Sequence, residues 1–315
     1  MSRYLITGAT TAIGEALIRA LLSCGDTESI LAVGAEQVRR ATVEIDGRVR
    51  YVRTDLTRER NLRQLLFGPA REHGVEVVIE MASHRGRSAT GPRAHALNVL
   101  ETRAMLRLSE EHPTIRRFVY RSYGEVYDVS NSLPSLIDEA HPLDLRPSAP
   151  QWVRDRVEAD LGVCTRFGMS DLSIAVLRAA ECLAPRSGSQ LYDYLGSEVC
   201  FRPLGFDPVI NLISGEDLGR ALALAACSKA QGIFTIPGAT TLPLSEIVRR
   251  TGRTSVPVPG PLMTPLYRLR RAALGTDFDY AINRGRLHFG GILDGTRART
   301  ILGYAPDVSV TFSLE

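Results

Sequence analysis

The stretch Gly8-Ala9-Thr10-Thr11-Ala12-Ile13-Gly14 follows a short apolar run, Arg3-Tyr4-Leu5-Ile6-Thr7, and opens directly into a helical pattern. Strand, glycine turn and helix in that order let backbone N–H groups approach a phosphate closely and aim the positive end of a helix at its charge. Lysine chemistry is confined to one place: of 38 basic residues, Lys229 alone is a lysine and the rest are arginines. A GC-rich genome accounts for such a bias, but it leaves position 229 as the single source of a side-chain amine. Five cysteines (Cys24, Cys164, Cys182, Cys200, Cys227) are scattered without C-x-x-C spacing. They read as inert thiols in a reducing, cytoplasmic compartment rather than as metal ligands.

The elements that must position these residues alternate. Apolar runs at 3–7, 29–33, 48–53, 75–81, 117–121 and 172–178 read as strands, and helical periodicity covers 12–23, 58–67, 94–111 and 151–167. Strands alternating with crossover helices predict an α/β fold, a doubly wound parallel (Rossmann) sheet over residues 1–180. Residues 181–315 break that rhythm with short pieces bounded by Pro and Gly. They are expected to form a small C-terminal substrate-side lobe with helices at 262–274 and 296–302. Residues 205–240 are expected to return to the sheet through strands at 209–212 and 232–236. With 315 residues, 44% hydrophobic and 23% charged, the chain can bury such a core, and collagen-like and disordered classes are excluded. A formal charge of +3 gives no argument for nucleic acid. No run reaches the roughly 18–20 apolar residues of a membrane span, and the N-terminus lacks a signal-peptide pattern.

Taken in order, these motifs resemble the NAD-dependent epimerase/dehydratase family of extended short-chain dehydrogenases/reductases, in the style of its UDP-glucose 4-epimerase-like branch. Thr7-Gly8 through Gly14 is similar to the family's TGxxGxxG, and Asp55-Leu56 to its adenine-holding acidic and apolar pair. Met81-Ala82-Ser83 matches the small-residue stretch after strand four, and Asn98-Val99 matches part of the next helix. Arg117 through Tyr120 leading to Val126-Tyr127 resembles the fifth strand, and Leu293-Asp294 through Tyr304-Ala305-Pro306 the closing helix. The resemblance implies NAD or NADP held by Gly8, Thr10, Thr11, Ala12, Ile13, Gly14, Asp55, Leu56, Met81, Ala82, Ser83 and Asn98. It also implies a nucleotide sugar or other small molecule beside the cofactor, and a homodimer built on the helices at 94–111 and 151–167.

Three positions depart from the family. Its Ser or Thr falls on Tyr123, with Ser122 next door; its Tyr falls on Trp152; its Lys, four residues later, falls on Arg156. Indole has no proton to surrender near neutral pH, and Arg for Lys is not a conservative exchange. Ser-Tyr-Lys hydride transfer is therefore not expected. A non-catalytic binding, regulatory or structural homologue, with a small ligand or a protein partner, is the first reading. The alternative is repurposed acid/base chemistry, as a lyase, isomerase or oxidoreductase, through Tyr123, Glu125 and Arg156. Glu125 stands where dehydratases of the family place a proton-abstracting carboxylate; its plain alternative is an exposed glutamate at a strand end.

Several residues carry two readings. Trp152 either plugs the cleft or is an ordinary packed aromatic. Asp55 either contacts adenine or caps the helix starting near Thr57. Thr11, in place of the middle glycine, crowds a pyrophosphate and weakens cofactor binding, or donates a hydrogen bond to it. Gly34, ending the second strand, selects neither NAD nor NADP; Glu36 suits ribose hydroxyls and Arg39 or Arg40 a 2′-phosphate. Arg85, Arg87, Arg268, Arg270 and Arg271 either hold phosphates or form solvated faces. His84 has no companions for a metal.

Overall fold

A computed structural model of the protein describes residues 1–37, 46–82, 91–184, 187–274 and 278–312. Its strands in chain order are β1 (Ser2–Ile6), β2 (Thr27–Gly34), β3 (Val49–Arg53), β4 (Val77–Glu80), β5 (Arg117–Tyr123), β6 (Leu136–Ile137) and β7 (Ser173–Ala179). They continue with β8 (Glu181–Cys182), β9 (Val199–Pro203), β10 (Val209–Ile213), β11 (Gly232–Ile236), β12 (Thr240–Pro243), β13 (Thr254–Val258) and β14 (Ile292–Leu293). Seven of these form one sheet in the order β3-β2-β1-β4-β5-β7-β11, every pair parallel. The order reverses between β1 and β4, so the crevice beyond their C-terminal ends is the place where an open α/β sheet admits a ligand.

Strands such as Val77–Glu80 and Arg117–Tyr123 are buried along their whole length, which is why they read as unbroken runs rather than as alternating patterns. One layer of core joins Ile6, Ile13, Leu17 and Ile79 to Leu218 and Leu222 of the helix Gly215–Cys227. The opposite layer joins Leu5, Leu31 and Val78 to Leu62, Met105 and Leu108. Two helical segments differ from their simple periodic form. The expected helix 58–67 runs from Glu59 to Leu65 and widens into a π-helical turn, Leu66–Ala70, around Pro69. The expected helix 94–111 starts earlier, at Pro92, and contains a second π-helical turn at Ala96–Leu100.

The C-terminal region builds a third core around Leu191, Tyr194, Ile247, Met263, Tyr267 and Tyr280. Of the segment 205–240, β11 joins the large sheet beside β7. The strand at 209–213 does not: β10 sits between β12 and β8 in a separate three-stranded sheet. The Asn211 side chain explains the placement, because its amide bonds the backbone of Gly238 and Thr240 and the hydroxyl of Thr241. Among the described residues four helices, Gln190–Leu195, Leu244–Arg250, Gly260–Leu274 and Tyr280–His288, complete this lobe. Among the described residues no helix is long and apolar enough to cross a membrane.

Candidate functional site

The dinucleotide turn is built as the sequence requires. Gly8 has φ +63°, in the left-handed region that glycine tolerates. A Cβ on Gly14 would lie 2.6 Å from the carbonyl oxygens of Gly8 and Ala9, so only hydrogen fits where the helix presses on the turn. Thr11 is the N-cap of the helix Ala12–Ser23: its Oγ1 accepts from Gly14 N–H at 2.9 Å and donates to Gly8 O at 2.9 Å. Its hydroxyl is therefore turned into the protein, where it caps the helix. Ala12 and half of the first turn, with Ile13 behind it, supply the N–H groups that a helix start leaves without intrahelical partners. Thr10 Oγ1 donates to Glu36 Oε2 at 2.7 Å, which folds that carboxylate over the end of β2.

Other cofactor candidates make contacts within the protein. Asp55 Oδ1 accepts from Thr57 N–H and Oγ1, and Oδ2 faces Arg58 at 3.6 Å, so the carboxylate organises the turn before the helix at Glu59. Leu56 is buried in the second core layer. Asn98 lies half-buried in the π-helical turn Ala96–Leu100. The N–H groups of Met81 and Ala82 both reach Thr7 Oγ1, at 2.9 and 3.0 Å, tying the end of β4 to the glycine turn. Ser83, with His84, Arg85, Arg87, Arg39 and Arg40, lies outside the described residues.

Beneath this end of β4 lies a carboxyl pair that the sequence did not announce. Glu80 is fully buried and its Oε1 accepts from Ala82 N–H at 2.8 Å. Its other oxygen and both oxygens of buried Glu101 have no hydrogen-bond partner among the described residues, so a proton shared between the two carboxyls pairs two of these three oxygens. Burial pushes the Glu80 carboxyl up to about 7. Burial, together with the charge of Glu80, holds Glu101 well above the usual carboxylate range.

A second cluster lies beyond the C-terminal ends of β5 and β7. The helix Gln151–Cys164 presents Trp152, Arg156 and Asp160 at four-residue intervals, one above another on its inner face. Asp160 fixes its register: both carboxylate oxygens receive the Arg178 guanidinium of β7, at 2.6 and 3.0 Å, and Ser122 Oγ also donates there. Ser122 thus faces the helix and not the cleft. Arg156 is held from three sides. Its Nη2 donates to Gly188 O at 2.7 Å, its Nη1 lies 2.8 Å from Glu125 Oε1, and its guanidinium stacks 3.7 Å from the centre of the Tyr123 ring. Arg121 covers Tyr123 at 4.5 Å and donates to its hydroxyl at 3.2 Å. Trp152, 2% exposed, lies between Arg156 and Arg286, at 5.0 and 5.3 Å. It is a packed core aromatic between two guanidinia. The alternating stack of cations and rings gains from cation–π attraction on each face.

Glu125 is not an exposed strand-end residue. The turn Gly124–Val126 folds it inward until it is 5% exposed. Burial pushes its carboxyl up, but the Arg156 and Arg286 guanidinia outweigh that and hold it below the usual range. Glu181, on β8, joins it there, and this residue was missed in the sequence. Ser189 Oγ and Leu191 N–H donate to its Oε1. Burial and the neighbouring Glu125 charge push Glu181 up to about 8. The two glutamates and Arg286 line one end of a cavity between the sheet and the C-terminal lobe, some 770 Å³ counted out to its open mouth. Arg268, Arg270 and Arg271 do not reach it: Arg270 stacks on Phe201, Arg271 pairs with Asp279, and Arg268 is exposed. Lys229 is exposed just before β11, at the opposite, N-terminal edge of the sheet. No group of three His, Cys, Asp or Glu able to hold a metal occurs among the described residues.

Residues 4–154 match the model of the NAD dependent epimerase/dehydratase family. An uncharacterized protein of Mycobacterium tuberculosis (strain ATCC 25618 / H37Rv) is 30% identical over 309 residues, which span 96% of this chain and 79% of the relative. The chain belongs to the NAD-dependent epimerase/dehydratase family. Solved structures agree at the level of the fold. The dTDP-glucose 4,6-dehydratase of Bacillus anthracis, in complex with NAD, superposes with a TM-score of 0.71 at 15% identity, covering 100% of this chain and 94% of that one. The UDP-glucuronic acid 4-epimerase of Bacillus cereus, in complex with UDP-glucuronic acid and NAD, gives 0.72 at 16% identity, covering 99% and 96%.

Proposed function

We propose that this member of the family binds a NAD-type dinucleotide and a small molecule in adjoining parts of one cleft, and does not carry out Tyr–Lys hydride transfer. The observation that carries the reading is Arg156, locked between Gly188 O, Glu125 and the Tyr123 ring, next to a tryptophan with no proton to exchange. The preserved Gly8–Gly14 turn supports the dinucleotide, and the solved relatives named above hold NAD in their complexes. Glu36, bonded to Thr10 beside the end of β2, supports NAD over NADP, since its carboxylate would repel a 2′-phosphate. Calorimetric titration with NAD⁺, NADH, NADP⁺ and NADPH tests this. Micromolar binding of NAD or NADH with weaker NADP is expected, and absence of any dinucleotide binding would leave a protein partner as the reading.

A second reading is favoured by a specific observation, the pair Glu125 and Glu181 at the end of a cavity. One carboxyl is held ionised by two arginines and the other holds a proton near neutral pH, a division of labour suited to general base and acid. Tyr123 and Arg156 would then position Glu125 for elimination or isomerisation. Glu125→Gln should lower turnover by about 10²–10⁴; unchanged turnover removes it from any mechanism. Self-association would use the helices Glu101–Glu110 and Gln151–Cys164. Their outer face carries the pairs Arg103–Glu158 and Arg166–Glu110, and light scattering distinguishes dimer from monomer.

A further inference from the structure

The cavity at Glu125 and Glu181 has two unlike ends. Its walls are Ile137, Leu191, Ile210, Phe278, Leu287 and Leu293. Most of its polar groups are already committed to the protein. Asn211 spends its amide on the backbone around Gly238 and Thr240. Asn283 donates to Gln190 Oε1 and Asp279 O. Glu181 Oε1 receives Ser189 and Leu191. A hexose entering here would strand several of its hydroxyls against hydrocarbon, which is unfavourable for each one left without a partner.

What remains unspent is concentrated at the inner end. Arg286 lines the cavity and commits Nη2 to Glu125 O at 2.6 Å, leaving further donors of a five-donor fork. Around that end stand three guanidinia, Arg121, Arg156 and Arg286, against two carboxyls, Glu125 and Glu181. With Glu181 holding its proton, the excess of positive charge is larger still.

We propose that the cavity takes an amphipathic anion, its apolar body lying among Ile210, Phe278 and Leu287 and its oxyanion head meeting Arg286 beside Glu125. This deepens the small-molecule part of the reading above and rests on it: the ligand of this cleft is built on hydrocarbon and a carboxylate or phosphate group, in place of a hexose. A planar guanidinium suits either head.

The test titrates the full chain, with and without NAD⁺, with dodecanoate, dodecyl phosphate, dodecanol and UDP-glucose below their aggregation concentrations. Calorimetry and the emission of Trp152, the sole tryptophan, stacked on Arg286, report binding. One-to-one binding of dodecanoate and dodecyl phosphate is expected, at least about tenfold tighter than dodecanol, with no displacement by UDP-glucose. Arg286→Gln should weaken dodecanoate by about tenfold or more and leave dodecanol unchanged, while Ile210→Phe should weaken both. Displacement of dodecanoate by UDP-glucose, or binding indifferent to both substitutions, would overturn the proposal. If NAD⁺ binds and no amphiphile does, the cavity proposal fails and the dinucleotide reading stands; if neither binds, the cleft itself is not a ligand site and both fail.

Discussion

Replacing Glu80 by glutamine should stabilise the protein at alkaline pH and far less in mild acid. The Glu80 carboxyl keeps its proton up to about 7 because it is fully buried against Glu101, whereas an unfolded glutamate loses its proton near 4.3. Between these values the folded chain binds more protons than the unfolded one, so the free energy of unfolding falls as pH rises, by about 1.4 kcal/mol per unit for one proton. The contribution is fully present below the unfolded value and lost as pH climbs through about 7. The accumulated loss is about 3 kcal/mol, to order of magnitude. Glutamine keeps an oxygen for Ala82 N–H and offers an N–H to Glu101, without an ionisation to suppress. Urea unfolding of both proteins at pH 5 and pH 8.5, followed by circular dichroism and Trp152 emission, gives the difference directly. The comparison also cancels the slope contributed by Glu181, which is common to both. Glu80→Gln should exceed the parent by about 3 kcal/mol at pH 8.5 and by only about 1 kcal/mol at pH 5. A gain equal at the two pH values, or none at either, would refute the shared-proton arrangement.

Three further outcomes follow from the same geometry. Asp160→Asn should cost about 3–5 kcal/mol in urea unfolding, because it leaves the buried Arg178 guanidinium without its counter-ion. Thr11→Ala should cost about 1 kcal/mol through loss of the helix cap, with NAD affinity by calorimetry changed less than about threefold. The double variant Trp152→Tyr/Arg156→Lys, which supplies a Tyr and a Lys four residues apart, should produce no reduced nicotinamide from NAD⁺ and UDP-glucose by absorbance. Tyr123 stays clamped under Arg121 in that variant, and turnover by it would contradict the proposed reading.

The sheet was legible because its information is local. Buried parallel strands advertise themselves as apolar runs, and the turn at Gly8–Gly14 needs only seven consecutive residues. What escaped depends on contacts between distant segments. Glu181 sits on a two-residue strand, and nothing in Ala180-Glu181-Cys182 signals that it will meet Glu125. Arg286 comes from a helix whose pattern is weak, and it reaches the turn at Glu125 across 161 residues. The cap made by Thr11 has a local cause that the glycine motif does not display: a threonine at a helix start accepts the N–H three residues on. The strand at 209–213 has the composition of a sheet member, and only the fixing of Asn211 to Gly238 and Thr240 places it elsewhere.

The position of Lys229 has a practical consequence. In a sheet whose seven strands all run the same way, β1 and β11 begin at one edge, so the chain's first residue and its only lysine lie at that edge, both exposed. The cleft opens at the other edge. Reagents that attack amines will therefore decorate the back of the molecule, and coupling through amines to a surface will hold it with the cleft facing outward.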